Sequence, residues 1–245
     1  MSQKKFRDKN QLYLIEGEKL VKELMGGKAG KGHRIKLLFA HGAWIGENHS
    51  ELSKSGIEAI EAAPAEIKKV SNLVTPSHVL ALVTMPNPQF NEDEVANAPI
   101  LAFESIRDPG NLGTIIRTAD WFGIAHVICT PDSADAFNPK VVQSTMGAIT
   151  RIHIIYKDIL EILDRPGMKS KAVFGTFLDG ENIYETKLDK NPMILFGNES
   201  HGLSDRYNPY IQKRLSIPSF SNSGAGSESL NVASSVAVIC SEIRR

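Results

Sequence analysis

The chain of 245 residues lacks the features that mark several large classes of protein. Its 2 cysteines form no CxxC pair and no HExxH motif occurs, so buried reduced thiols are the simplest interpretation and no metal site is indicated. No apolar run approaches the roughly 20 residues that a membrane helix needs. The start, MSQKKFRDKNQ, lacks the apolar segment of a secretory signal. We therefore expect a cytoplasmic protein.

The phosphate-binding loops of common nucleotide-binding proteins are missing as well. There is no G-x-x-x-x-G-K, and no G-x-G-x-x-G follows the first predicted strand. The glycine pair in GAGSES, residues 224–229, follows the last predicted strand and no βαβ unit comes after it. GNESHG, residues 197–202, does not have the G-x-S-x-G spacing of a hydrolase. A nucleoside triphosphate, a dinucleotide and a serine nucleophile are thus all poorly supported.

The charge is balanced overall but unevenly placed. The formal net charge is zero, yet residues 1–36 hold ten Lys or Arg against four acids. A basic segment of this kind is either a solvated tail or a contact for the phosphates of a nucleic acid. The sequence alone leaves both interpretations open.

The order of apolar runs predicts two domains of α/β type. A proline- and asparagine-rich stretch at residues 85–99 interrupts the pattern and marks a domain boundary. Before it, LYLIEGEKLVKELM and the runs that follow alternate between strand and helix in a small α/β unit. After it, runs such as PILAFES, HVICTP and PMILFGN alternate with helical segments, which indicates a parallel sheet covered on both faces.

Three polar loops follow predicted strands of that second domain. ILAFES leads into the segment around Asn111, PMILFGN leads into ESHGLS, and RLSIPS leads into FSNSGAGSESLNV. Ligands of parallel α/β sheets bind beyond the carboxyl ends of the strands. Glycine, serine and asparagine let the backbone approach a ligand and supply neutral hydrogen-bonding groups. We therefore expect the three loops to meet at one binding site.

The segment DPGNLGTIIRTADWFG, residues 108–123, predicts a helix with two distinct faces. Asn111 is expected to be the N-cap that follows a turn. Arg117 and Trp121 lie four residues apart, on the side that also carries Thr114, so a large aromatic ring would face water. A second subunit or a ligand is expected to cover that side. The apolar face is formed by Leu112, Ile115, Ile116, Ala119 and Phe122.

The three loops, taken as DPGNLGTIIRTADWFG, ILFGNESHGLS and IPSFSNSGAGSESLNVASSVAVI, resemble the three motifs of the SpoU (TrmH-like) RNA 2′-O-ribose methyltransferases. The stretch RDKNQLYLIEGEKLVKELM is similar, more loosely, to the L30e-like substrate-binding domain of many members. The resemblance implies a trefoil-knotted, Rossmann-like parallel-sheet domain of the SPOUT class at residues 98–245. An L30e-like RNA-binding domain would precede it at residues 1–95. The resemblance also implies a homodimer that uses S-adenosylmethionine.

The resemblance also assigns roles to residues of this chain. Cofactor contacts are expected at Gly197, Ile217 and Leu230. The polar residues of the catalytic site are expected to be Asn111, Arg117, Glu199, Ser229 and Asn231. With RNA as the partner, the basic segment gains a role, and its candidate RNA contacts are Lys4, Lys5, Arg7 and Lys9.

The implied reaction is an in-line attack by a ribose 2′-hydroxyl on a sulfonium methyl, which needs positioning and proton removal but no metal. An arginine guanidinium keeps its proton in proteins, so Arg117 is expected to clamp hydroxyl and phosphate, with the proton leaving through a substrate phosphate or solvent. A base-methylating knotted enzyme and an inactive RNA-binding relative stay open, as does the choice between tRNA and rRNA. Twelve residues separate Ile217 from Leu230, more than is usual in the family, so residues 220–228 are expected to order only with cofactor.

Overall fold

The computed structural model of the protein describes residues 3–27, 30, 32–221 and 229–245. The chain folds into two compact units. The amino-terminal unit combines residues 1–87 with residues 135–151, and the carboxyl-terminal unit combines residues 88–134 with residues 152–245. This division differs from the boundary drawn from the sequence, because residues 135–151 pack in the first unit although they follow part of the second.

The amino-terminal unit is built on a four-stranded mixed sheet in the order β1-β4-β2-β3. Strand β4 runs antiparallel to both β1 and β2, while β3 is parallel to β2. The strands are β1 (Leu12–Glu16), β2 (Ile35–Ala40), β3 (Ala59–Glu61) and β4 (Val79–Thr84). The helices are α1 (Lys4–Asn10), α2 (Glu18–Met25), α3 (Gly42–Glu47), α4 (His49–Ser55), α5 (Pro64–Val70), α8 (Pro139–Ser144) and a 3-10 helix at Ala148–Thr150.

Side chains of the first helix and strand hold the inserted segment 135–151 in the amino-terminal unit. Arg7 on α1 forms an ion pair with Asp135, N to O 2.5 Å, and only 2% of its side chain is exposed. The rings of Tyr13 and Phe137 lie 4.8 Å apart. The expectation that Arg7 contacts RNA is therefore corrected, because the basic segment forms a helix whose inner face buries this guanidinium. Lys4, Lys5 and Lys9 on the same helix are exposed.

The carboxyl-terminal unit contains a six-stranded parallel sheet in the order β10-β8-β9-β5-β6-β7. Every residue of β5, β6 and β9 is buried, as expected for parallel strands covered on both faces. The strands are β5 (Ile100–Phe103), β6 (His126–Cys129), β7 (His153–Tyr156), β8 (Val173–Asn182), β9 (Met193–Phe196) and β10 (Lys213–Ser216). The helices are α6 (Glu92–Ala96), α7 (Pro109–Trp121), α9 (Ile159–Leu163), α10 (Val232–Arg244) and 3-10 helices at Pro166–Met168 and Asp205–Tyr210.

The strand order places a switch point between β5 and β9. From β5 the chain moves outward through β6 and β7, then returns on the other side through β8 and β9. A crevice forms beyond the carboxyl ends of the strands at such a point, and ligands of α/β sheets bind there. The predicted parallel sheet is confirmed, whereas the strand order does not test the trefoil knot, which stays a prediction.

Candidate active site

Helix α7 begins at the switch point with a cap that frees Asn111 for other contacts. The carboxylate of Asp108 accepts the backbone N–H of Asn111, N to O 2.7 Å, and Pro109 occupies the first helical turn. The prediction that Asn111 is the N-cap is therefore wrong, because the aspartate before the proline already satisfies this end of the helix. Asp108 was detectable from sequence, since an acidic residue directly before proline is a common helix start.

A chain of side-chain hydrogen bonds joins the three polar loops. Asn231 caps α10, and its Oδ1 accepts the backbone N–H of Ala233 at 2.9 Å. This orients its amide so that Nδ2 donates to Asn111 Oδ1 at 3.0 Å. Asn111 Nδ2 in turn donates to Glu199 Oε1 at 2.8 Å. The orientation of the Asn231 amide fixes that of the Asn111 amide, and the Glu199 carboxylate accepts the last hydrogen bond of the series.

The loop after β9 is a tight turn that only glycine permits at its start. Asn198 and Gly202 exchange two backbone hydrogen bonds, N to O 3.0 and 2.9 Å. A Cβ built on Gly197 would lie 2.0 Å from the backbone carbon of Gly202 and 2.1 Å from the backbone nitrogen of Leu203. Asn198 also donates through Nδ2 to the carbonyl of Ser105 at 2.8 Å, which ties this loop to the end of β5. Nothing in the sequence indicated that bracing role for Asn198.

A cavity of about 840 Å³ lies between this loop, strands β8 and β10, and the start of α10. Its volume lies within the range of roughly 300–1,000 Å³ found for small-molecule sites. Six of the eight residues expected at the site line it, namely Gly197, Glu199, Ile217, Ser229, Leu230 and Asn231. Half of the Leu230 side chain, 51%, is exposed beside the cavity. Of the stretch predicted to order with cofactor, residues 222–228 lie outside the described residues.

The lining of this cavity suits a cofactor that carries both an aromatic ring system, which packs against apolar side chains, and a positively charged centre. Ile217 and Leu230 offer apolar contacts, and the turn at Gly197 brings backbone groups close to the cavity. Glu199 supplies a carboxylate at its edge. These are the groups that an adenosyl moiety joined to a sulfonium needs.

Arg117 lies on a different surface from the cavity. Arg117, Thr114 and Trp121 share the exposed face of α7, and 84% of the Trp121 side chain is accessible. In the described part of the chain the Arg117 guanidinium has no hydrogen-bond or ion-pair partner, and neither Arg117 nor Asn111 is among the residues that line the cavity. The predicted face of the helix is confirmed, and it is uncovered in the single chain.

In the described residues the cysteines are reduced, and neither a metal-binding cluster nor a membrane-spanning helix is found. Cys129 and Cys240 are buried free thiols, and burial raises the pKa of each to about 12. No group of three or more His, Cys, Asp or Glu side chains there is arranged to hold a metal ion. Within the same residues, none of the helices has the length and apolar character required to span a bilayer.

Comparison with family models gives two matches that together span most of the chain. Residues 98–241 match the SpoU rRNA Methylase family, and residues 1–81 match the MRM3-like substrate binding domain. The chain is 30% identical over 243 residues to the Bacillus subtilis 23S rRNA (guanosine(2553)-2′-O)-methyltransferase RlmP, covering 98% of this chain and 92% of that relative. It is 32% identical over 155 residues to the human mitochondrial rRNA methyltransferase 3, covering 61% of this chain and 36% of that relative.

Solved structures with the same architecture include an RNA methyltransferase of the TrmH family from Porphyromonas gingivalis. The TM-score is 0.82 at 34% identity, with 99% of this chain and 93% of that chain covered. The AdoMet-bound rRNA methyltransferase from Sinorhizobium meliloti gives a TM-score of 0.83 at 25% identity, with 99% and 90% covered. The α/β fold with a preceding substrate-binding domain is thereby confirmed.

Proposed function

Because the chain belongs to the SpoU rRNA methylase family, we propose that it transfers a methyl group from S-adenosylmethionine to a ribose 2′-hydroxyl of ribosomal RNA. The observation that carries this proposal is the hydrogen-bonded chain from Asn231 through Asn111 to Glu199, which unites the three polar loops at the switch point. The likeness to a 23S rRNA methyltransferase along 98% of this chain favours ribosomal RNA over transfer RNA. A cytoplasmic enzyme is part of the same proposal.

S-adenosylmethionine supplies an electrophilic methyl group carried on a sulfonium. The cavity lined by Gly197, Ile217 and Leu230 holds this cofactor, with the apolar side chains against the adenosyl part. Glu199 stabilises the positive charge at the cavity edge, since one of its oxygens is already fixed by Asn111. Ser229 lines the same cavity.

The two asparagines position Glu199 without taking part in proton transfer. Asn231 is held by the backbone of α10 and holds Asn111, whose backbone is held by Asp108. Such a preorganised arrangement needs little rearrangement when charge shifts between cofactor and substrate.

Arg117 acts as a clamp on the reacting hydroxyl and a neighbouring phosphate of the RNA. Its planar fork of donors matches two oxygen acceptors, and it carries its charge throughout. Since Arg117 and Trp121 lie on an uncovered face outside the cavity, we propose a homodimer in which a second copy covers this face, so that each Arg117 acts on the RNA bound at the site of the other copy. An aromatic ring of this size buries on the order of 150–250 Å² when covered.

The amino-terminal unit supplies RNA affinity in this proposal. Lys4, Lys5 and Lys9 are exposed on α1, where they can contact phosphates. Replacing all three by Gln lowers RNA affinity and the steepness of its salt dependence, by roughly one unit of slope per lost phosphate contact. Binding of S-adenosylmethionine is the internal control and stays unchanged.

The test of the function is methylation of RNA from a strain that lacks the gene. Purified protein and S-adenosylmethionine are added to total RNA, which is then digested to nucleosides and analysed by mass. A 2′-O-methylated nucleoside that maps to ribosomal RNA supports the proposal. A methylated base would instead identify a base methyltransferase, and RNA binding without methylation would identify an inactive relative.

A further inference from the structure

A second cleft lies beside the loop that bounds the larger cavity. Its volume is about 450 Å³, and it is lined by Glu104, Arg107, Asp108, Glu199, His201 and Ser204 among others. Residues 198–202 line both spaces, so Glu199 borders both of them. A group transfer brings donor and acceptor together, and two spaces that share one loop can hold one each.

The wall of the second cleft is held in a disfavoured conformation. Ser105, directly after β5, has φ +56°, a left-handed value that is uncommon for a residue with a side chain. Its hydroxyl donates to Asp132 Oδ2 at 2.5 Å, and its carbonyl accepts Asn198 Nδ2 at 2.8 Å. A hydrogen bond from the Ser105 hydroxyl, and to a smaller extent one from the Thr130 hydroxyl, lowers the pKa of the Asp132 carboxyl. Backbone conformations of this kind persist where the surrounding structure enforces them, often at functional sites.

Arg107 stands at the mouth of the cleft with a weakly held guanidinium. Its side chain is 75% exposed, and its ion pair with Asp132 is long, N to O 3.8 Å. Exposed pairs of this kind contribute little stability, so the guanidinium can exchange the carboxylate for a phosphate. Inside the cleft, Glu104 is paired with Arg206, N to O 3.4 Å, whereas Asp108 and Glu199 have no ion-pair partner in the described residues. These two carboxylates make a phosphate unfavourable there, and the space suits a neutral nucleoside.

We propose that this cleft holds the acceptor nucleotide, with its nucleoside inside and an adjoining RNA phosphate on Arg107. The proposal rests on the proposed function, because it assigns the substrate side of the same reaction. It makes Arg107 a substrate-binding residue and Ser105 a positioning residue that fixes the shared loop. The larger cavity remains the site of the methyl donor.

The first test replaces Arg107 by Ala. We expect the KM for RNA to rise on the order of tenfold and the salt dependence of RNA binding to lose about one unit of slope, while S-adenosylmethionine affinity is unchanged. Arg107→Lys retains a positive charge for the phosphate and restores most of the RNA affinity. The matched control is Lys169→Ala, which removes an exposed positive charge just before β8, at the amino ends of the strands.

The second test fills the cleft. Ser204 lines the smaller cleft and not the larger cavity, so Ser204→Trp abolishes RNA methylation and keeps S-adenosylmethionine binding. Wild-type turnover by both the Arg107→Ala and the Ser204→Trp variants would overturn this inference and leave the proposed function intact. Absence of RNA methylation by the wild-type protein would instead overturn the proposed function itself.

Discussion

Replacing Gly197 by Ala tests the close backbone approach that forms the cofactor loop. The added Cβ would lie 2.0 Å from the Gly202 backbone, whereas ordinary contact begins at 3.4 Å, so the two segments must separate by about 1.4 Å. Both contacting atoms belong to the backbone, and no side chain can rotate away. Overpacking of this kind costs about 1–3 kcal/mol. For a chain of this size a loss of 2 kcal/mol lowers the Tm by roughly 4–8 °C.

The same separation widens the turn that brings Glu199 to the cavity, so we expect S-adenosylmethionine affinity to fall by at least tenfold. The assay combines thermal unfolding with calorimetric titration of the cofactor. Gly46→Ala is the matched control, because Gly46 lies in α3 and a Cβ there meets nothing within 4 Å. That variant keeps or slightly raises stability, since alanine favours a helix. Unchanged stability and cofactor affinity in Gly197→Ala would show that the close approach is unimportant.

Three further substitutions test individual side chains. Arg117→Lys keeps the charge but loses the planar fork, so turnover falls on the order of 100-fold, about 2.7 kcal/mol, with little change in cofactor affinity. Asn111→Asp places a second carboxylate against Glu199, which raises the pKa of one of the pair, so activity is weak at neutral pH and increases as pH falls. Arg7→Ala leaves Asp135 without its buried partner and lowers the free energy of unfolding by about 3 kcal/mol.

Each of these substitutions has an outcome that contradicts the assignment. A stable dimer with near-normal single-turnover methylation in Arg117→Lys would make Arg117 an interface residue only. A pH–activity profile of Asn111→Asp that parallels the wild type would mean that the hydrogen bond to Glu199 does not position it. Arg7→Ala is compared with Lys5→Ala, an exposed position on the same helix where a change below about 0.5 kcal/mol is expected. Equal stability of the two variants would refute the buried pair.

Much of the carboxyl-terminal unit follows from local pattern. Runs such as PMILFGN and HVICTP predicted buried parallel strands, because strands covered on both faces carry apolar residues at every position. The meeting of three polar loops also followed from one rule, since the carboxyl ends of parallel strands lie at one edge. The hydrogen bonds among Asn231, Asn111 and Glu199 then give that edge its chemistry.

The remaining features depend on contacts distant in sequence. Asparagine is common at helix N-caps, which favours Asn111, but Asp108 lies directly before Pro109 and caps the helix instead. The basic segment is interpreted from its sequence as a tail or an RNA contact. Its neighbours in sequence do not show that Arg7 pairs with Asp135, which lies 128 residues further along the chain. Strand β3 was not identified from the sequence, since its three residues are too few to show a period of two.

The discontinuity of the amino-terminal unit has a consequence for protein synthesis. Its last segment ends at residue 151, which leaves the ribosome 64 residues after residue 87. At about 5–20 residues per second this is a delay of roughly 3–13 s. For the first 48 of these residues Arg7 lacks Asp135, and for the first 50 Tyr13 lacks Phe137, so the nascent unit exposes a charged group and a ring that the finished protein buries. Translation speed through residues 88–137 therefore sets how long these two side chains stay exposed.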